Sequence, residues 1–188
     1  MNQVAELNEL LGYPYAVFAP TGLRHKQRGE AVVPPSQLGH GVLSQYPIIG
    51  LEQLFLTQAE GDADIRTLLN VDIKTPEGVR YFSSIHFSNS DSGSVAHFRE
   101  MLSMLKLSGK PRVLAGDFNI FNLSQLKNEY GAEYSSSADV FSYISYPERQ
   151  GTLDYILLPK GCIFSAFECV DEPLSDHRAL VADVEFAK

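Results

Sequence analysis

Features common in exported, membrane-bound or nucleic-acid-coating proteins are missing from this sequence of 188 residues. No apolar run approaches the roughly 20 residues that a membrane-spanning helix needs, so we predict no transmembrane segment. The basic and then apolar pattern of a secretory signal peptide does not follow Met1. This absence favours a cytoplasmic location, unless the natural N-terminus lies upstream.

Cysteine is scarce, with Cys162 and Cys169 the two in the chain. Seven residues apart in a strand, they point to opposite faces and lie about 23 Å apart, beyond disulfide reach. We therefore predict free thiols in a reducing compartment. Two cysteines at this spacing do not make a zinc site.

Positive charge is also scarce, since 15 Lys and Arg stand against 23 Asp and Glu, and the net charge is −8. Such a chain is not a general nucleic-acid coat, because phosphate binding needs a positive field. An acidic site could hold a divalent cation that supplies this charge. The one dense basic run, residues 24 to 28, lies in a predicted loop over residues 24–36. It is either a solvated loop or a substrate-phosphate contact beside a site.

What is present suits one globular domain over residues 1–188, with 44% hydrophobic and 20% charged residues. Alternating and helical apolar patterns predict many strands and few helices, with hairpins and at least one strand–helix–strand crossover. This mixture predicts an α/β fold of two packed sheets with helices outside. The predicted strands include residues 65–74, 79–87, 153–158, 163–170 and 179–186, and the predicted helices are 2–11, one that Ser94 starts and caps, and a short one over 123–130.

The central stretch is a short buried strand, Val113 to Ala115, that stops at Gly116. Asp117 and Asn119 follow it and point the same way if the chain stays extended. Sites in α/β folds usually lie at such strand ends. The alternative is an Asp-x-Asn turn in which both side chains cap the backbone.

Polar clusters occur near four predicted strand ends: His86, Asp117 with Asn119, Asp154, and Asp176 with His177. Asp154 lies within an apolar strand, where a carboxylate must be paired or bind a cation. His177 is a natural partner, because a carboxylate on one ring nitrogen fixes the tautomer and raises the pKa. Asp117 and Asp176 offer hard oxygen ligands for Mg²⁺ or Mn²⁺. Taken singly, each cluster has an ordinary structural explanation, but together they indicate phosphoester hydrolysis.

The sequence resembles the endonuclease/exonuclease/phosphatase superfamily, which includes deoxyribonuclease I. The matching motifs are Gly41-Val42-Leu43-Ser44, Ser84-Ile85-His86-Phe87, Gly116-Asp117-Phe118-Asn119, Leu153-Asp154-Tyr155-Ile156 and Ser175-Asp176-His177. The resemblance implies a four-layered α/β/β/α sandwich of two mixed sheets. It also implies catalytic roles for His86, Asp117, Asn119, Asp154 and His177, phosphate contacts from Arg66, Asn119 and His86, and a Mg²⁺ or Mn²⁺ site with Asp176, Asp117 and Asn119.

One departure from the family pattern affects both fold and function. Family members begin with a strand ending in Asn and a second strand ending in Gln-Glu, whose Glu is the principal metal ligand. This sequence contains neither, so we expect an N-terminally truncated sandwich with exposed sheet edges that could pair a homodimer.

Two functions follow from this resemblance. The first is a metal-dependent hydrolase of a phosphodiester or phosphomonoester, its substrate a nucleic acid, a phospholipid headgroup or a small phosphoester. The second is a catalytically impaired member of the family that acts as a binding or assembly module.

Overall fold

The computed structural model describes residues 3–27, 30–172 and 175–186. Its α-helices are α1 (Gln3–Leu11), α2 (Asp91–Ser108), α3 (Lys127–Tyr130) and α4 (Ser137–Val140), with 3-10 turns at Leu123–Leu126 and Pro147–Arg149. Its strands are β1 (Tyr15–Gln27), β2 (Glu30–Ser44), β3 (Ile48–Phe55), β4 (Thr67–Thr75), β5 (Gly78–His86), β6 (Arg112–Asp117), β7 (Tyr134–Ser136), β8 (Asp154–Pro159), β9 (Ile163–Val170) and β10 (Ala179–Glu185).

A six-stranded mixed sheet of order β3-β4-β5-β6-β8-β7 forms the middle of the molecule. Strands β5 and β6 are parallel, and α2 provides the crossover between them, whereas the other neighbours are antiparallel. Helix α2 covers one face, where Phe98, Met101 and Leu105 pack against Leu114 and Leu157 of the sheet. These buried side chains recur at helical spacing on α2 and form its apolar stripe.

Two separate two-stranded antiparallel sheets, β1-β2 and β9-β10, lie on the opposite face. Ala19 of β1 packs against Leu69 and Val71 of β4, and the β9-β10 pair packs over β6 and β8. Helix α1 lies outside β1-β2, since a side chain at Gly41 would meet Val4. The result is the predicted α/β/β/α order of layers.

Several sequence predictions of secondary structure need correction. Helix α2 begins at Asp91, and its N-cap is Ser90, whose Oγ accepts from the Gly93 N–H, so the predicted start at Ser94 was wrong. The predicted loop over residues 24–36 lies largely within the β1-β2 ribbon. Much of this ribbon is exposed, so its sequence lacks the alternation that marks a half-buried strand. Strand β3 was not predicted.

The remaining predictions of fold concern sheet edges, cysteines and membrane-spanning helices. In the described part of the chain, β2 and β10 do not pair with each other, so both small sheets have open edges. Dimerisation through such an edge stays a prediction, and a clean monomer in light scattering at high concentration would contradict it. Cys162 and Cys169 are both free. None of the described helices is long and apolar enough to cross a membrane.

Candidate functional site

The register of three neighbouring strands brings the predicted site residues together. His86 at the end of β5 is level with Asp117 at the end of β6, and Asp117 is level with Asp154 at the start of β8. The His86 Nε2 lies 3.7 Å from the Asp117 Oδ2. One edge of the central sheet therefore carries an imidazole and two carboxylates side by side.

His177 reaches this edge from the loop that precedes β10. Its Nδ1–H donates to the Asp154 Oδ2 at 2.8 Å, and its backbone N–H donates to the Ser175 Oγ. The hydrogen bond to Asp154 raises the pKa of His177 above its ordinary value. Asp154 thus fixes both the orientation of the ring and the tautomer of its neutral form.

A tight turn after β6 positions Asp117 and Asn119. Gly116 has φ 144° and Asn119 has φ 51°, both in the left-handed range. The Asn119 backbone N–H donates to the Asp117 Oδ1 at 2.8 Å, and the Asn119 Nδ2 donates to the Phe87 carbonyl at 3.1 Å. The Asp-x-Asn turn is therefore itself part of the candidate site.

Two carboxylates and one imidazole form a group that could hold a metal ion. The ligand atoms of Asp117, Asp154 and His177 lie within 4.8 Å of one another. The pKa of Asp117 is raised to about 6, mainly by burial; the Asn119 N–H lowers it and the nearby Asp154 carboxylate raises it within this net shift. Two carboxylates thus lie close together at this edge of the sheet. Hard oxygen donors of this kind suit Mg²⁺ or Mn²⁺.

Two predicted residues, Asp176 and Arg66, lie outside both this group and the lining of the cleft described below. Asp176 is exposed and its carboxylate accepts from the Ser175 Oγ. Arg66 is 7% exposed, and its guanidinium donates to Asp62 and, at 2.6 Å, to the Asn89 Oδ1. Arg66 therefore does not line the cleft described below, and its phosphate contact stays a prediction.

The basic run predicted beside the site is only partly described. The guanidinium of Arg24 lies 3.8 Å from the Asp64 carboxylate. Arg28 lies outside the described residues, as does the side chain of Lys26. The choice between a solvated segment and a phosphate contact stays open for this run.

A cleft of about 290 Å³ opens above the site. Four predicted residues line it, and the further lining residues are Asn89, Asp91, Phe121, Tyr146, Arg149 and Leu153. Three of these further residues come from the region 120–150, which is polar and has weak periodicity. No motif in that region marks these residues, because turns of the chain, and not a regular sequence pattern, bring them to the cleft.

Comparison with known proteins gives one family match and many similar structures. The model of the endonuclease/exonuclease/phosphatase family matches residues 1–177. A comparison with curated proteins finds no match.

Three solved structures illustrate the shared fold. An endonuclease/exonuclease/phosphatase from Beutenbergia cavernae DSM 12333 is 23% identical with a TM-score of 0.78, over 99% of this chain and 58% of its own. The human Nocturnin catalytic domain with bound sulfate is 17% identical with a TM-score of 0.72, over 97% and 75%. The mannosyl-6-phosphatase of Bacteroides thetaiotaomicron VPI-5482 is 13% identical with a TM-score of 0.73, over 98% and 81%. This chain thus spans 58% of the Beutenbergia protein's length.

Proposed function

The chain belongs to the endonuclease/exonuclease/phosphatase family, and on that premise we propose that it is a phosphoester hydrolase that depends on Mg²⁺ or Mn²⁺. The convergence of Asp117, Asp154 and His177 within 4.8 Å carries the proposal. Membership of a family named for nucleases and phosphatases supports phosphoester chemistry, and the similar fold of a mannosyl-6-phosphatase agrees with it.

The carboxylates of Asp117 and Asp154 would hold the cation. The pKa of Asp117, raised mainly by burial and also by the Asp154 carboxylate, supports this assignment, because a divalent cation would offset both effects by stabilising the ionised carboxylates. A divalent cation there supplies neutralisation of the negative charge on the phosphoryl oxygens. Protein sites for Mg²⁺ often need only one or two carboxylates, with water and substrate oxygens as further ligands.

The protein's own groups would act on the water and the phosphate. Asp117 would orient the attacking water and accept its proton, because its carboxylate is held by the Asn119 N–H and faces the cleft. Asp154 favours the protonated His177 ring, whose Nε2–H would then donate to a phosphate oxygen. His86, also in the cleft lining, would provide a second imidazole for the phosphate.

Hydrolysis of bis-(p-nitrophenyl) phosphate and of plasmid DNA tests this proposal. We expect activity with Mg²⁺ or Mn²⁺, none in EDTA, and a loss of about 10²-fold or more in Asp117→Ala. Asp183→Ala is the matched control, because Asp183 is an exposed carboxylate on β10, away from the cleft lining. Electron paramagnetic resonance of Mn²⁺ measures binding independently of turnover. Activity that survives EDTA or Asp117→Ala would contradict the mechanism.

One observation favours a second candidate function, a catalytically impaired binding or assembly module. Among the described residues, the group able to hold a metal contains no glutamate, whereas the family resemblance implies a Glu as principal ligand. Mn²⁺ binding with no hydrolysis of any phosphoester would support this module. Turnover that Asp117→Ala abolishes would exclude it.

A further inference from the structure

Two aromatic residues that are at least partly exposed lie beside the candidate catalytic group. Phe121 and Tyr146 both line the cleft that contains Asn119 and His177; Phe121 is 44% exposed and Tyr146 is partly buried. A single exposed aromatic residue is ordinary on a protein surface. Two in one cleft, next to a phosphate-handling group, form a surface on which a ligand ring could stack.

The local backbone holds these rings in place. Tyr146 and Gly151 exchange backbone hydrogen bonds of 2.9 and 3.1 Å, which close a short loop through a 3-10 turn and the left-handed Gln150. A Cβ at Gly151 would lie 2.6 Å from two carbons of the Phe121 ring. The ring therefore packs directly against the Gly151 backbone, and this close approach requires glycine. The rings are thus positioned before any ligand arrives, which lowers the entropic cost of binding.

The same loop also carries an arginine beside Phe121 and an aromatic ring beside His177. The Arg149 guanidinium lies 6.0 Å from the centre of the Phe121 ring. Among the described residues, Arg149 is the one Lys or Arg that lines the cleft. The Tyr146 ring lies 4.7 Å from that of His177, at 37°. A ligand ring at Phe121 would therefore lie close to a phosphate held at His177.

We propose that Phe121, Tyr146 and Arg149 bind the nucleobase of a nucleoside phosphate whose phosphate lies at His177. This inference rests on the proposed function and names its substrate class. Aromatic faces and an arginine plane both stack on flat heteroaromatic rings, and they do so with little dependence on the base. A bare sugar phosphate would leave these stacking surfaces without a planar partner.

Calorimetric titration with AMP, ribose 5-phosphate and inorganic phosphate tests the base site without relying on turnover. AMP and ribose 5-phosphate share the sugar and the phosphate, so their affinity ratio measures the contribution of the base. We expect AMP to bind about tenfold tighter, within the range that base–aromatic stacking provides. Phe121→Ala should bring the ratio close to one and leave ribose 5-phosphate binding unchanged. Arg149→Gln should weaken the binding of AMP.

Phe55→Ala is the matched control, because Phe55 is another exposed phenylalanine, at 60%, and lies on the edge strand β3, outside the cleft lining. It should keep the wild-type ratio. Equal wild-type affinities for AMP and ribose 5-phosphate, or an unchanged ratio in Phe121→Ala, would overturn the proposal.

Two further comparisons identify the source of the ligand and distinguish failure of the base site from failure of the proposed function. A single-stranded oligoadenylate that binds tighter than AMP would assign the site to a nucleic-acid strand, and one that binds no tighter would assign it to free nucleotides. Either result supports a base site. Preference for AMP without hydrolysis of any phosphoester would refute the proposed function alone. Hydrolysis without this preference would refute the base site alone.

Discussion

Acid should destabilise this protein through His40, a buried histidine of β2. His40 is 6% exposed, and its Nδ1 shares a 2.9 Å hydrogen bond with the Ser84 Oγ. Burial lowers the pKa of His40 from 6.5 to about 4, aided by the charge of Arg66 and opposed by a hydrogen bond with the Thr67 backbone. The folded protein therefore holds this ring neutral at a pH where the unfolded chain protonates it.

The sign and size of the effect follow from linkage. Above pH 6.5 the ring is neutral in both states and costs nothing. As the pH falls from 6.5 to 4, the unfolded state gains the proton first, so the free energy of unfolding declines. The full loss below pH 4 is about 3 kcal/mol, and at pH 5 it is about 2 kcal/mol, since one pKa unit is worth about 1.4 kcal/mol.

Urea denaturation at pH 7.5, 6 and 5 measures this loss, with His40→Gln as the comparison. Glutamine can still bond Ser84 but does not titrate, so the variant should lose about 2 kcal/mol less than the wild type between pH 7.5 and 5. Far-ultraviolet circular dichroism is the suitable probe, because the chain has no tryptophan. Identical pH dependence in both proteins would refute the assignment of this loss to His40.

Three further substitutions have defined outcomes. Asp154→Asn should keep the fold but lower kcat by about 10²- to 10⁴-fold, because His177 loses the 2.8 Å partner that orients it; an unchanged kcat would contradict that role. Phe98→Ala should lower the free energy of unfolding by about 3–5 kcal/mol, since the ring is 0% exposed, and urea denaturation would show it. Gly116→Ala should destabilise by about 1–3 kcal/mol, because φ is 144° and a Cβ would clash with the Ile85 carbonyl; wild-type stability would refute this strain.

The parts of the fold that could be predicted from the sequence are those in which apolar and polar residues alternate. In strand β4, Leu69, Val71 and Ile73 pack towards the small sheets with polar residues between them, so the sequence has the period of a strand. Within the β1-β2 ribbon, the described part of residues 24–36 is largely exposed, so no alternation of apolar residues marks it as strand. Strand β3 is an edge strand with Leu51 57% exposed, so its pattern was ambiguous for the same reason.

The residues of the candidate site also fall into those that the sequence could predict and those that it could not. The sequence predicted Asp154 and His177 as partners, because a carboxylate within an apolar strand needs one, and the structure has them hydrogen-bonded. Phe121 and Arg149 could not be predicted in this way. Their place in the cleft depends on the Tyr146–Gly151 backbone pairing, a contact that no local residue preference specifies.

The turn after β6 shows why the two interpretations of Asp117-x-Asn119 were not exclusive. The turn bends the chain at Gly116 and Asn119, and the Asn119 N–H then holds one oxygen of Asp117 while its side chain is tied to Phe87. Without these bonds the carboxylate would rotate freely at the sheet edge. The capping contacts that would argue for a merely structural turn are thus the ones that fix the proposed water-orienting carboxylate beside Asp154. The hydrogen bonds that cap this turn are therefore the same ones that hold the proposed catalytic carboxylate.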